Sequence, residues 1–175
     1  HWVLNNWHRT YLRFFLYTNL LWALVTTFTL KSLILFPWIF NFDPHPMQDV
    51  FGWKEAYQIA EKWQSQIEKQ QGKRPSLFVS NWTEASRLAW AAYPENVYVT
   101  DTRFDQFDMW FGEPKDGTEG ILIRPGYADP IKLRMPGHFQ ECNKLEHFTF
   151  SIRNQSIVSY NFYHCINYKA VHTIN

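Results

Sequence analysis

Charge of one sign is scarce in this chain: 17 Lys and Arg face 16 Asp and Glu, a net charge of +1. No Lys/Arg block of the kind that tracks phosphates occurs, so the composition argues for no nucleic-acid partner. Glycine-rich loops are missing as well. Neither a dinucleotide fingerprint nor a P-loop stands at the first strand-to-helix turn, and Gly-x-Ser-x-Gly is absent. No Ser/His/Asp or Cys/His set is recognisable, which leaves a soluble hydrolase without its machinery. The Asp-x-Asp pair of sugar-nucleotide enzymes fails at Asp43-Pro-His, Asp49-Val-Phe, Asp101-Thr-Arg and Asp105-Gln-Phe. Cysteine is limited to Cys142 and Cys165. They flank a predicted hairpin, and two readings fit them: a bridge contributing ~3 kcal/mol in an oxidising compartment, or two buried thiols.

Long apolar sequence is what the chain does have. Seventeen residues from Phe14 to Leu30 pass without a charge, Lys31 interrupts, and nine more uncharged residues reach Phe40. At ~1.5 Å per residue the first seventeen cover ~26 Å, and extension to Leu35 closes the gap to a ~30 Å hydrocarbon core. Lys31 would snorkel towards the headgroups. Apolar residues occupy all faces, unlike a core helix, and no small-residue cleavage site follows, unlike a signal peptide. Trp2, Trp7 and Tyr11 on one side, and Trp38 and Phe40 on the other, suit the two interfaces. Arg9 and Arg13 precede the span, whereas Asp43 and Asp49 follow it before Lys54. The positive-inside rule then makes residues 1–13 cytoplasmic and puts those after about 42 outside. The start at His1, without an initiator Met, reads as a piece of a longer protein.

Residues 41–49 (NFDPHPMQD) read as a linker, and 50–175 as one domain. Trp53, Ala56, Tyr57, Ala60, Trp63 and Ile67 form a helical stripe ended by Gly72 and Pro75. Strands are expected at 76–80, 97–100 and 120–123. A helix between the first two is capped by Asn81 with Glu84 in capping-box position, and carries Ala85, Leu88, Ala89 and Ala92 inward. A short helical segment with Phe104, Phe107 and Phe111 on one side lies between the second and third. Strands separated by helices describe a βαβαβ unit. Residues 125–140 read as loop. Alternation at Glu146, Phe148, Phe150 and Ile152, then at Val158, Tyr160, Phe162, His164 and Ile166, predicts a hairpin turning near Gln155, with Phe148 opposite Phe162 and His147 opposite Tyr163. His147 and His164 then fall on opposite faces, so they make no zinc pair. The expected fold class is α/β: an N-terminal transmembrane helix (14–40), then a three-layer α/β domain with a mainly parallel sheet and a C-terminal antiparallel hairpin.

Ligands of open parallel sheets sit at the carboxyl ends of the strands. That selects Asn81, Trp82 and Thr83 after the first strand, Asp101, Thr102 and Arg103 after the second, and Arg124 after the third. Helix capping is the simpler role for Asn81 and Asp101. Asp101, Asp105 and Asp108, at i, i+4 and i+7, would share a helical face, yet no His joins them at ligand spacing, and no metal is assigned. Asn81-Trp-Thr and Asn154-Gln-Ser match the N-glycosylation pattern, which has meaning only in a eukaryotic secretory setting.

The run from the apolar span through the Pro-containing linker into FGWKEAYQIAEKW, then NWTEASRLAWAAYP and TRFDQFDMWFG, resembles a known family. It is similar to the C-terminal extracytoplasmic domain of bacterial dolichyl-phosphate-mannose-protein mannosyltransferase-like enzymes, polytopic glycosyltransferases of the GT-C type. Arg103-Phe-Asp-Gln106-Phe-Asp108-Met-Trp110 carries the likeness best, as an Arg-x-x-Gln-aromatic-Asp-x-Trp pattern, and the likeness covers about residues 14–124. It implies an inner-membrane enzyme moving a sugar from a polyprenyl-phosphate carrier to a glycan, lipid or protein acceptor on the periplasmic side. It further implies that the catalytic acids lie in a first extracytoplasmic loop outside this sequence, so that no residue here takes the catalytic role. No cofactor is assigned here, and a divalent metal for the whole enzyme stays undecided. On this reading Arg103, Gln106, Asp108 and Trp110 contact a glycan or the membrane domain, or cap and pack their helix. The rival reading is a membrane-anchored, non-catalytic α/β module binding a periplasmic glycan or protein.

Overall fold

The computed structural model describes residues 10–39, 42–101, 103–128 and 139–169. The chain divides into two compact units, His1–Met47 and Gln48–Asn175. Trp2, Trp7, Arg9, Phe40 and Thr102, with most of the loop expected at 125–140, lie outside the described residues.

In the first unit, helix α1 (Thr10–Leu35) runs for 26 residues, ~39 Å at the α-helical rise, and buries none of them. It is long and apolar enough to cross a membrane. Pro37 holds Phe36 out of helical geometry and opens a 3-10 turn, Pro37–Ile39. Four polar side chains inside α1 bond to their own helix. Thr18 Oγ1 donates to Phe14 O (2.8 Å), Asn19 Nδ2 to Phe15 O (2.8 Å), Thr26 Oγ1 to Trp22 O (3.0 Å) and Thr29 Oγ1 to Val25 O (2.9 Å). Their donors are therefore satisfied without a neighbouring helix. After the turn, buried His45 sets Nε2 3.2 Å from Pro37 O and accepts from Met47 N at Nδ1.

The second unit is a mixed α/β domain. Helix α2 (Trp53–Gln71) buries Trp53, Ala56, Ala60 and Ile67 from the expected stripe, and Gln64 as well. Gln64 is admitted because its Nε2 donates to Pro75 O (2.7 Å) and Glu95 Oε1 (2.5 Å). Strand β1 (Ser76–Val79), helix α3 (Trp82–Ala92) and strand β2 (Val97–Val99) follow, then helix α4 (Gln106–Phe111) and strand β3 (Gly120–Pro125). Helix α4 starts later than the aromatic spacing suggests, so Phe104 precedes it and is exposed, while Phe107 is buried. Strands β4 (Phe139–Ile152) and β5 (Gln155–Tyr168) close the domain.

The five strands run in the order β2-β1-β3-β5-β4. The β1–β2 and β1–β3 pairs are parallel; β3–β5 and β4–β5 are antiparallel. The sheet is thus evenly mixed rather than mainly parallel, because the hairpin supplies half of the pairings. Arg153 and Asn154 form its turn with φ of 49° and 66°, as a two-residue hairpin loop requires. Phe148 consequently faces Tyr160, and His147 faces Asn161, not Phe162 and Tyr163. That slip of two residues preserves the faces: Val158, Tyr160 and Phe162 stay buried, and His147 stays opposite in face to His164.

One face of the sheet (Leu77, Val79, Val97, Val99, Ile121, Ile123) packs against α2 and α3. On the other, Phe78 is ringed by Phe139 (centroids 5.0 Å), Tyr98 (5.5 Å) and Tyr168 (5.6 Å), with Leu122 and Cys165. This second cluster holds no helical side chain among the described residues, so the expected third layer is not seen there. A Cβ at Gly120 would lie 2.2 Å from the Phe78 ring, which explains the glycine. Cys142 and Cys165, directly opposite each other on β4 and β5, are bridged.

Candidate functional site: a polar cleft at the strand ends

Strands β1 and β2 stop side by side, with Val79 opposite Val99, and Thr100 completes the ladder by donating both its N–H (3.0 Å) and its hydroxyl (3.2 Å) to Val79 O. The chain therefore leaves both strands at one edge. A cleft of about 490 Å³ opens there, lined by Asp49, Asn81, Trp82, Thr83, Glu84, Arg87, Asp101, Arg103 and Tyr127. That volume falls within the range of small-molecule sites.

Asn81 is the α3 cap, as its position predicted: Oδ1 accepts from Glu84 N (3.0 Å), and Nδ2 donates to Glu84 Oε1 (2.9 Å). The other Glu84 oxygen accepts from Ser80 N (3.0 Å). These bonds hold a carboxyl that is only 3% exposed beneath the cleft. Burial pushes the Glu84 carboxyl above its ordinary range, against the opposing pull of Ser80 N–H, the Asn81 amide, Arg124 and Arg87. Arg87, one turn on from Glu84, donates to Asp49 Oδ2 at 2.6 Å and shares the cleft lining with Tyr127. Burial raises the Tyr127 phenol as well. Trp82 is half-exposed in the cleft lining.

Asp101 does not cap a helix. Its Oδ1 accepts from Arg103 N (3.2 Å) in a local turn, and burial pushes its carboxyl up. The cap of α4 is Asp105, whose Oδ1 accepts from Phe107 N (2.7 Å), while Asp108 Oδ2 accepts from Asp105 N (2.8 Å). Asp101 therefore shares no helical face with Asp105 and Asp108, and the expected carboxylate row does not form. Among the described residues no three His, Cys, Asp or Glu side chains are grouped to hold a metal ion.

Asn81, Trp82, Asp101 and Arg103 thus come together in one cleft. Gln106 joins Trp82 and Arg103 in an adjoining pocket with Asp105 and Phe107. Asp108 serves as the capping-box partner, Trp110 packs edge-on to Phe107 (5.5 Å), and Arg124 is buried near Glu84. Asp49, Glu84, Arg87 and Tyr127 were not expected. Glu84 at the cap and Arg87 three residues on could have been placed by helical spacing. Asp49 and Tyr127 come from loops with no periodic signal. Aromatic rings at Trp82 and Tyr127, carboxylate acceptors and guanidinium donors suit a polyhydroxylated ligand. No protein-family model, characterised protein or solved structure matches this chain.

Proposed function

We propose that this chain is the C-terminal part of a membrane glycosyltransferase that moves a sugar from a polyprenyl-phosphate carrier to an extracytoplasmic acceptor, with residues 48–175 recognising the glycan. The cleft at the β1 and β2 ends carries this reading: its lining sets the aromatic Trp82 and Tyr127 with Asp101 and Arg103, the residue types a sugar's apolar face and hydroxyls call for. The apolar α1 supports the membrane part. Arg13 before the span and Asp43 and Asp49 after it support an inner-membrane, periplasm-facing orientation. The catalytic acids belong to a segment other than this one.

The test is glycan binding by the full chain in lipid nanodiscs, screened on an oligosaccharide panel. A bound glycan should bind about 10- to 100-fold more weakly to Arg103→Ala, the loss of ~1.5–3 kcal/mol that follows removal of a charged hydrogen-bond donor. Binding of no glycan, or equal binding by Arg103→Ala and Trp82→Ala, contradicts the proposal.

A further inference from the structure

Helix α3 has a second face, turned away from the core. Ser86 and Trp90 lie there, four residues apart, and Tyr93 follows at the C-terminal cap. Trp90 is 90% exposed and Tyr93 86%. The adjacent helix α4 adds Met109 and Trp110, 70% and 63% exposed, and Phe104 precedes it at 60%. None of these residues carries a charge. The exposed positions of α2 are different in kind: Lys54, Glu61, Lys62, Glu68 and Lys69 make an ordinary solvated face. Rings this open are apolar area that water disfavours.

We infer that this α3/α4 face docks on the bilayer surface, with lipid headgroups and the first methylenes as its partner. The composition points to lipid: Trp and Tyr are the residues that settle at the headgroup level. Covalent connection supplies the rest. Only seventeen residues, 36–52, separate α1 from α2, so once α1 spans, the contact is intramolecular, and a few interfacial rings suffice where they would be too weak for a free domain. The inference rests on α1 spanning a membrane and is independent of the glycan reading.

The experiment uses the full chain in liposomes of phosphatidylethanolamine and phosphatidylglycerol. Ser86→Cys on this face and Lys144→Cys on exposed β4 each receive an environment-sensitive fluorophore, and lipids with a headgroup nitroxide serve as quencher. The docked face predicts strong quenching at position 86 and little at 144, with the signal at 86 lost when Trp90→Ser and Tyr93→Ser are combined. Both rings are exposed, so that variant folds, and an unchanged melting temperature checks it. Equal quenching at the two positions overturns the inference. So does a label at 86 shielded from aqueous iodide yet unquenched by the lipid, which would mean that a second copy covers the face. A chain that fails to float with the liposomes removes the anchor, and the docking with it. Glycan binding in nanodiscs is scored separately.

Discussion

At the scale of single residues, Glu84 concentrates the electrostatics of the cleft. Its carboxyl is held above its ordinary range chiefly by burial. The unfolded chain releases this proton at a lower pH than the folded chain does, so between the two values the folded state binds more protons. Glu84 then contributes full stability below its unfolded value, near 4.5, and that contribution is lost as pH rises through the folded value. Melting temperature measured from pH 4.5 upward should fall with this component in the parent and lose it in Glu84→Gln. An unchanged slope in the variant would assign the pH dependence elsewhere. Trp82 makes the opposite case. It is half-exposed, so Trp82→Ala should change unfolding free energy by no more than about 0.5 kcal/mol while weakening glycan binding. Gly120→Ala should cost about 1–3 kcal/mol in a urea titration, because the added methyl meets the Phe78 ring. That Asn81, Trp82, Asp101 and Arg103 line one cleft was legible because the chain leaves neighbouring parallel strands at the same edge. Asp49 and Tyr127 were not, since loop residues reach a cleft only through tertiary structure.

Among elements, those with a periodic pattern could be read, and those set by turns or by two chain segments meeting could not. The α2 stripe and the Asn81 cap were visible in spacing alone. Gln64 was not, because its burial depends on Pro75 and Glu95 arriving from elsewhere. The hairpin register missed by two residues because alternation fixes which face is buried, whereas the Arg153–Asn154 turn and the bulges near Leu145 and Ser151 fix the pairing. The bridge between Cys142 and Cys165 ties these two long strands together, with a sequence separation of 23. Replacing both cysteines by serine should cost roughly 3 kcal/mol by the loop-entropy relation, read as a lowered melting temperature. A melting temperature unaffected by the double substitution would show that strand pairing alone holds the hairpin.

At the scale of the whole molecule, an apolar helix and a mixed α/β domain occupy separate units of one chain. Thr18, Asn19, Thr26 and Thr29 bond to the helix's own carbonyls, so these four neither demand nor forbid a surrounding bundle. Thr26→Val should accordingly insert as well as the parent in a flotation assay. The class of fold was readable from the chain, but the even mix of the sheet and the aromatic cluster around Phe78 were not. Both arise where the hairpin meets β3, far apart in sequence. The central claim is that the cleft meets a glycan outside the membrane, and photo-crosslinking in living cells addresses it directly. A photoreactive amino acid replaces Thr83, in the cleft lining, and the purified adduct is analysed by mass spectrometry. The account predicts an adduct carrying sugar residues that glycosidase removes. Adducts made only of cytoplasmic proteins would contradict it.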